Sequence, residues 1–295
     1  MQRQAGSRSI EVLSLAFVFH RKGNCIVSFP PERIVCLTEE TVETLYLLGE
    51  DDRIVGVSGY AVRPPQVRKE KPRVSAFISA DIPKILALKP DIVLTFSDLQ
   101  ADIVASLIRE GIEVHAFNQR TVTGILDMIR AIAAMVGVPA KGESLAAQLA
   151  ERLEGIAREA QALPRQPKIY FEEWNEPMIT GIGWVSELIQ IAGGIDVFGT
   201  LAKQKSAKDR IVAGDDVIAA RPDIIIGSWC GKKFRPEQVR ARPGFDTIPA
   251  VQTNDLYEIK STIILQPGPA ALTDGVDALQ RYIRSWSAGG KAPAS

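Results

Sequence analysis

Few residues in this chain have the type and spacing that covalent chemistry needs. Cys230 lies in the turn Gly227-Ser228-Trp229-Cys230-Gly231, directly after an aliphatic run, where a nucleophile elbow would sit. A histidine partner would have to be His115, in the distant stretch IEVHAF, and the run WCG lacks a second cysteine three residues on. The acids Glu39-Glu40 and Glu172-Glu173 are adjacent in sequence, but no spacing marks a general acid–base pair. TGIGWVS lacks the last glycine of a dinucleotide fingerprint. Three cysteines (Cys25, Cys36, Cys230) without CxxC spacing argue against a disulfide framework, and two histidines (His20, His115) argue against a histidine-rich metal site. The expectation is a chain with no catalytic residues, no metal site and no intrinsic cofactor.

Non-covalent chemistry is better supplied. In open parallel sheets ligands bind beyond the carboxyl ends of the strands, so the residues just after each aliphatic run are the candidate contacts. RIVCL leads into Thr38-Glu39-Glu40, RIVGVSG into Tyr60, IVLTF into Ser97-Asp98-Leu99-Gln100, and IEVHAF into Asn118-Gln119-Arg120. Further on, KIYF leads into Glu172-Glu173-Trp174, IIIG into Ser228 through Lys233, and LYEI into Lys260-Ser261-Thr262. Aromatics mixed with polar groups at these ends suit a large amphipathic ligand. Each residue taken singly also has a structural reading: Thr38 and Asp98 as helix caps, Glu172-Glu173 as a solvated pair, Trp184 as core.

The elements that must position these residues are written in a phrase that occurs twice, ILALKPDIVLTF at 85–96 and VIAARPDIIIGSW at 217–229. Lys89 and Arg221 suit a helix C-terminus. Pro90 and Pro222 stop the helix and are expected to push the preceding residue into extended geometry. The unalternating runs Ile92-Val93-Leu94 and Ile224-Ile225-Ile226 read as parallel strands covered on both faces. The fold expected is α/β, with two Rossmann-like parallel-sheet lobes. Helices are expected near 38–48, 101–109, 123–136, 185–192 and 269–286. A continuous proline-free helix over 141–163, ended by Pro164, stands between the halves. These elements set the boundaries: an N-terminal lobe at 30–140, a linking helix at 141–163, a C-terminal lobe at 164–286, and tails at 1–29 and 287–295.

Composition excludes other classes. The 295 residues are 46% hydrophobic and 24% charged, the values of a globular protein. Lys+Arg and Asp+Glu both number 35, so no basic excess marks a nucleic-acid partner. Arg3 and Arg8 precede the apolar run IEVLSLAFVF as in an export signal, but Glu11 interrupts it, His20-Arg21-Lys22 come next, and no small-x-small cleavage pattern is present. No functional export signal is expected there, which places the chain in the cytoplasm if it starts as written.

The succession RIVCLTEETVETLYLLG, RIVGVSGY with PPQ after it, ADIPKILALKPDIV, WVSELIQIAGG and the second RPDIII resembles the helical-backbone periplasmic binding proteins. These deliver vitamin B12, ferric siderophores and haem to ABC importers, and the cobalamin-binding members are the most similar. The resemblance spans about 33–283. It implies two lobes joined by a single long helix with little hinge closure, a monomer, a periplasmic or envelope location, and no catalysis. It also implies a corrinoid such as cobalamin in the inter-lobe cleft, delivered to an ABC permease and ATPase. Tyr60 matches the family's corrinoid-stacking tyrosine, and Phe77 stands where cobalamin binders often carry tryptophan. Asp255 matches an aspartate lining the pocket, while Ile259 replaces the expected arginine, with Lys260 beside it. Flat contacts would come from Tyr60, Phe77, Trp174, Trp184 and Trp229, and polar ones from Glu40, Asp98, Gln100, Asn118, Arg120, Glu173, Lys232, Asp255 and Lys260. Of the family's two permease-docking acids, Asp215 matches one; Pro83 occupies the other place, with Asp81 the nearest acid. The alternatives within this resemblance are a ferric siderophore or haem, with His115 as a haem ligand, and a cytosolic corrinoid binder without a permease.

Overall fold

The computed structural model describes residues 29–290, so the N-terminal segment read for an export signal, with His20 and Cys25, lies outside the described residues. In both copies of the repeated phrase the basic residue before proline is left-handed, with φ of 48° at Lys89 and 49° at Arg221. This corrects the extended geometry expected there. The proline ring disfavours the right-handed helical region for its predecessor, and the left-handed alternative closes the preceding helix as a C-terminal cap. The aspartate after proline then clamps the neighbouring strand. Asp91 Oδ2 accepts the amides of Glu32 and Arg33 at 2.8 and 2.9 Å, and Asp223 Oδ2 accepts the amide of Lys168 at 2.8 Å. The phrase recurs because each lobe needs a helix stop followed by a strand clamp.

The first lobe runs β1 (Ile34–Cys36), α1 (Glu39–Leu48), β2 (Ile54–Ser58), α2 (Val67–Glu70), β3 (Arg73–Ser75), α3 (Ile82–Ala87), β4 (Ile92–Phe96), α4 (Ala101–Arg109), β5 (Val114–Phe117) and α5 (Val122–Met135). Its sheet is parallel throughout, in the order β3-β2-β1-β4-β5. Next comes α6 (Pro139–Ala160). The second lobe comprises β6 (Lys168–Asn175), β7 (Met178–Thr180), α7 (Gly183–Ile191), β8 (Ile195–Asp196), α8 (Gly214–Ala220), β9 (Ile224–Gly227), α9 (Pro236–Arg240), α10 (Pro249–Thr253), β10 (Leu256–Glu258), α11 (Ser261–Ile264) and α12 (Val276–Ser287). Here β10, β9 and β6 are parallel, β8 pairs parallel with β6, and β7 returns antiparallel on it.

The long helix begins at Pro139 rather than 141 and ends at Ala160, 22 residues in all. Proline at the first helical position costs no hydrogen bond, so the helix can open on it. One continuous apolar core includes Val42 and Leu45 of α1, Ile129 of α5, Leu149 and Leu153 of α6, Leu188 of α7, Leu279 of α12, and residues of both sheets. The other face of each sheet has a core of its own. Within the shared layer α6 packs closely on α5; a Cβ on Gly142 would lie 2.2 Å from Ala133 Cβ. Pulling the lobes apart would open this layer to water at about 25 cal/mol per Å² of apolar surface, so the packing opposes hinge opening.

Candidate functional site

The carboxyl edge of the first sheet presents an apolar shelf. Tyr60 after β2, Ile78 after β3 and Leu99 after β4 are 51%, 71% and 61% exposed, and Phe77 beside Ile78 is half-buried. A single exposed apolar side chain is ordinary, but three at the strand ends of one sheet make this edge a candidate contact surface. Gln100 sets the shelf's geometry. Its Oε1 accepts the amide of Phe96 at 2.9 Å, and its Nε2 donates to the carbonyls of Leu37 (3.2 Å) and Phe77 (2.8 Å). Those three bonds tie the ends of β1 and β4 to the loop that carries Phe77 and Ile78.

The second lobe answers with charge. Lys232 Nζ sits 3.8 Å from the centroid of the half-buried Trp174 ring and donates to Asn175 Oδ1 at 2.7 Å. Glu173 pairs with Arg210 at 2.6 Å. On the first lobe Arg120 pairs with Asp98 at 3.6 Å, donates to Asn118 Oδ1 at 3.2 Å and lies 5.3 Å from the centre of the Phe96 ring. Lys232 and Lys260 meet in the lining of a cavity of about 990 Å³ between the ends of β9 and β10 and α12.

The two lobes touch along residues 266–268. Gln266 Nε2 donates to Glu39 Oε1 (3.3 Å), Gln119 Nε2 donates to the Pro267 carbonyl (2.9 Å), and a Cβ on Gly268 would lie 2.4 Å from Glu40 Cβ. Three buried acceptors in this seam, Glu39 Oε2, Glu40 Oε2 and Gln119 Oε1, have no hydrogen-bond partner among the described residues. Burial pushes the Glu39 carboxyl up to about 7 and Glu40 to about 8. The Thr38 hydroxyl bond to Glu40 Oε1, at 2.6 Å, offsets part of that rise. Near neutral pH the seam therefore holds Glu40 mostly protonated and Glu39 close to the midpoint of its titration. Beside it Glu43 accepts from Arg63 and from the amide of Ala270, each at 2.9 Å, and Arg63 also pairs with Asp274.

Several expected contacts turn out to hold the fold. Gln100 is fully buried and committed to backbone, so it positions the shelf instead of touching a ligand. Trp184 is core, its Nε1 donating to the Ile264 carbonyl at 2.8 Å. Trp229 is core as well, packed on Phe234 and donating to Glu172 Oε1. Glu172 is not a solvated acid: it is fully buried and accepts from Tyr170, Trp229 and both Nη atoms of Arg242 at 2.6–2.9 Å. Asp255 stands before the first residue of β10, at the amino edge of the sheet, where Thr253 and Tyr257 hydroxyls satisfy it. Glu40 is buried in the seam, away from any open surface. Asp98, Asn118, Tyr60, Lys232 and Lys260 remain accessible to a ligand, as do Phe77, Arg120, Glu173 and Trp174 in part. Arg210, Gln266 and Arg63 carry no signal in the sequence because none sits after an aliphatic run; their roles come from tertiary contacts.

The groups weighed for covalent chemistry are poorly placed for it. Cys230 belongs to the second lobe and His115 to the first. The Cys230 thiol is pushed up by burial, and the charges of Glu173 and of Glu39 from the first lobe push it further, the opposite of thiolate activation. His115 is in β5 with its ring 4.3 Å from that of Phe117, and burial lowers its pKa. Among the described residues no group of three or more His, Cys, Asp or Glu side chains could hold a metal ion. The docking acids differ in their local work: Asp81 caps α3 by accepting the Lys84 amide at 3.0 Å, while Asp215 is exposed in the first turn of α8. No helix among the described residues is long and apolar enough to cross a membrane.

Comparison with known proteins places this architecture. A vitamin B12-binding protein of Vibrio cholerae is 26% identical over 283 residues, 93% of this chain and 97% of that protein. An ABC transporter substrate-binding lipoprotein of Bacillus subtilis is 24% identical, with 86% of this chain and 80% of the relative covered. The crystal structure of the V. cholerae vitamin B12-binding protein superposes with a TM-score of 0.69 at 25% identity, covering 87% of this chain and 98% of that one. A periplasmic heme-binding protein of Pseudomonas aeruginosa shares the fold, with a TM-score of 0.75 at 19% identity over 90% and 96% of the two chains. The family model for periplasmic binding proteins matches residues 34–263, and with it the chain belongs to the periplasmic binding protein family.

Proposed function

We propose that this chain is a non-catalytic solute-binding protein that holds a corrinoid such as cobalamin between its lobes and hands it to an ABC importer in the cell envelope. The observation that carries the reading is the pairing of two unlike surfaces. The first lobe offers Tyr60, Ile78 and Leu99 to water, and the second offers Trp174 under Lys232. An amphipathic macrocycle would lay an apolar face on the shelf and turn its amides and phosphate toward Lys232, Lys260, Asn118 and Arg120. The vitamin B12-binding relatives, matched over nearly their full length, support that choice of guest. Docking on a permease would use Asp215 and Asp81, each at the start of the helix in which a repeated phrase begins.

A competition assay tests the guest. Purified protein is loaded with cyanocobalamin and challenged with haemin, and the visible spectrum is followed. Cobalamin retained against equimolar haemin supports the reading; haemin displacing it, or binding when cobalamin does not, assigns the cleft to haem instead.

A further inference from the structure

The 990 Å³ cavity between the ends of β9 and β10 and α12 belongs wholly to the second lobe, and its charges are unbalanced. Lys232, Lys233, Lys260 and Arg281 line it, against the acids Glu258, Asp274 and Asp277. Each acid has other work. Asp274 pairs with Arg63 at 2.9 Å, Asp277 with Arg152 at 2.5 Å, and Glu258 accepts the Phe234 amide at 2.9 Å. The side chains of Lys233 and Lys260 have neither an ion-pair nor a hydrogen-bond partner among the described residues. Arg281 meets an aromatic neighbour, with its guanidinium 5.1 Å from the centre of the Tyr282 ring, and no acid among the described residues. The wall behind them is fixed. Tyr282 is fully buried, stacks on Tyr257 at 4.3 Å and donates to the Glu258 carbonyl at 3.0 Å. Ser261 and Thr262 add hydroxyl donors at the rim.

Cations gathered around a low-dielectric concavity repel one another and focus a positive field into it. With Asp274 and Asp277 paired to Arg63 and Arg152, the four cations of the lining face Glu258 as the remaining acid, and an anion from solution would complement the net positive charge. We propose that this cavity is a binding site for a polyanionic group, a phosphate ester or a cluster of carboxylates, held by Lys233, Lys260 and Arg281. The cavity shares Lys232 and Lys260 with the surface proposed to face the corrinoid, and Asp274 in its lining is held by Arg63 of the first lobe, so the inference rests on that reading of the second lobe; titration with small anions alone separates its failure from failure of the corrinoid assignment.

Calorimetric titration of the full chain with inorganic pyrophosphate and, separately, with citrate tests it. Binding of either anion at one site per chain is expected, weakening as NaCl rises from about 20 to about 200 mM, where charge screening tightens. Lys260→Gln with Arg281→Gln should lower the affinity about tenfold or more, the loss typical of removing charge-assisted contacts. Both side chains are exposed, so melting without ligand should not move; Lys233→Gln gives a second, independent reading of the same loss. Pyrophosphate bound in preference to citrate identifies a phosphate ester, and the reverse identifies carboxylates. Heat from neither anion, or equal affinity in the variants and the parent chain, overturns the proposal.

Discussion

Glu39 and Glu40 should make the seam between the lobes weaken as pH rises. Both carboxyls are buried, each leaves one oxygen without a donor, and burial lifts them to about 7 and about 8. A raised folded-state pKa means that the native protein keeps protons the unfolded chain gives up. The stabilising contribution is complete below about pH 4.5, falls as the unfolded chain ionises, and is gone once pH passes the folded values near 7 and 8. Each pH unit separating the folded from the unfolded pKa is worth about 1.4 kcal/mol, so Glu39 taken alone accounts for about 3 kcal/mol and Glu40 for about 5 kcal/mol. The two are neighbours and titrate as a pair, so the sum is not the expectation. A total loss of about 3–5 kcal/mol between about pH 5 and about pH 9 is. Urea unfolding of the parent chain and of the Glu39→Gln, Glu40→Gln double variant at both pH values measures it. The variant should lose most of the pH dependence while unfolding in one transition. Equal pH dependence in the two proteins would refute burial as the source of the effect.

Arg242→Met leaves the fully buried Glu172 facing Tyr170 and Trp229 without its cation, and should cost about 3–5 kcal/mol in chemical denaturation. Adding Glu172→Gln should recover part of that. Gly227→Ala would place a Cβ 1.8 Å from the Phe234 ring. It should therefore destabilise by about 1–3 kcal/mol, and Phe234→Leu in the same chain should restore some of the loss in melting temperature. Tyr60→Ala combined with Leu99→Ala should weaken cobalamin binding by about tenfold or more, as loss of buried contact area predicts, and leave the melting temperature unchanged because both side chains are exposed in the free protein.

The strands and most helices are legible in the sequence because their signals are local. Ile92-Val93-Leu94 and Ile224-Ile225-Ile226 read as strands buried on both faces, and both are. Gly49 marks the end of α1 and occupies the left-handed cap. The elements that escape such a reading are those whose cause lies elsewhere in the fold. β3 and β8 are two or three residues long, defined by pairing with β2 and β6 rather than by pattern. The aliphatic pattern ends β6 at Phe171, but the strand continues through Glu172-Glu173-Trp174 because β7 folds back on it and an arginine seventy positions along the chain neutralises Glu172. The rule that contacts lie just past strand ends picks out Tyr60, Leu99, Trp174, Lys232 and Lys260, all of which keep exposed surface. It cannot separate Trp229, which turns into the core, from Trp174, which stays at the surface. A hydrogen bond to a buried carboxylate decides that, and no sequence spacing records it.

If a corrinoid occupies the space between the apolar shelf and the cationic rim, equilibrium titration of the purified chain with cyanocobalamin, followed by quenching of tryptophan emission, shows it most directly. Saturation at one ligand per chain is predicted, with Trp174→Ala reducing the signal and the affinity together. A linear, unsaturating response up to about a millimolar, the weak end of the affinity scale, would contradict it.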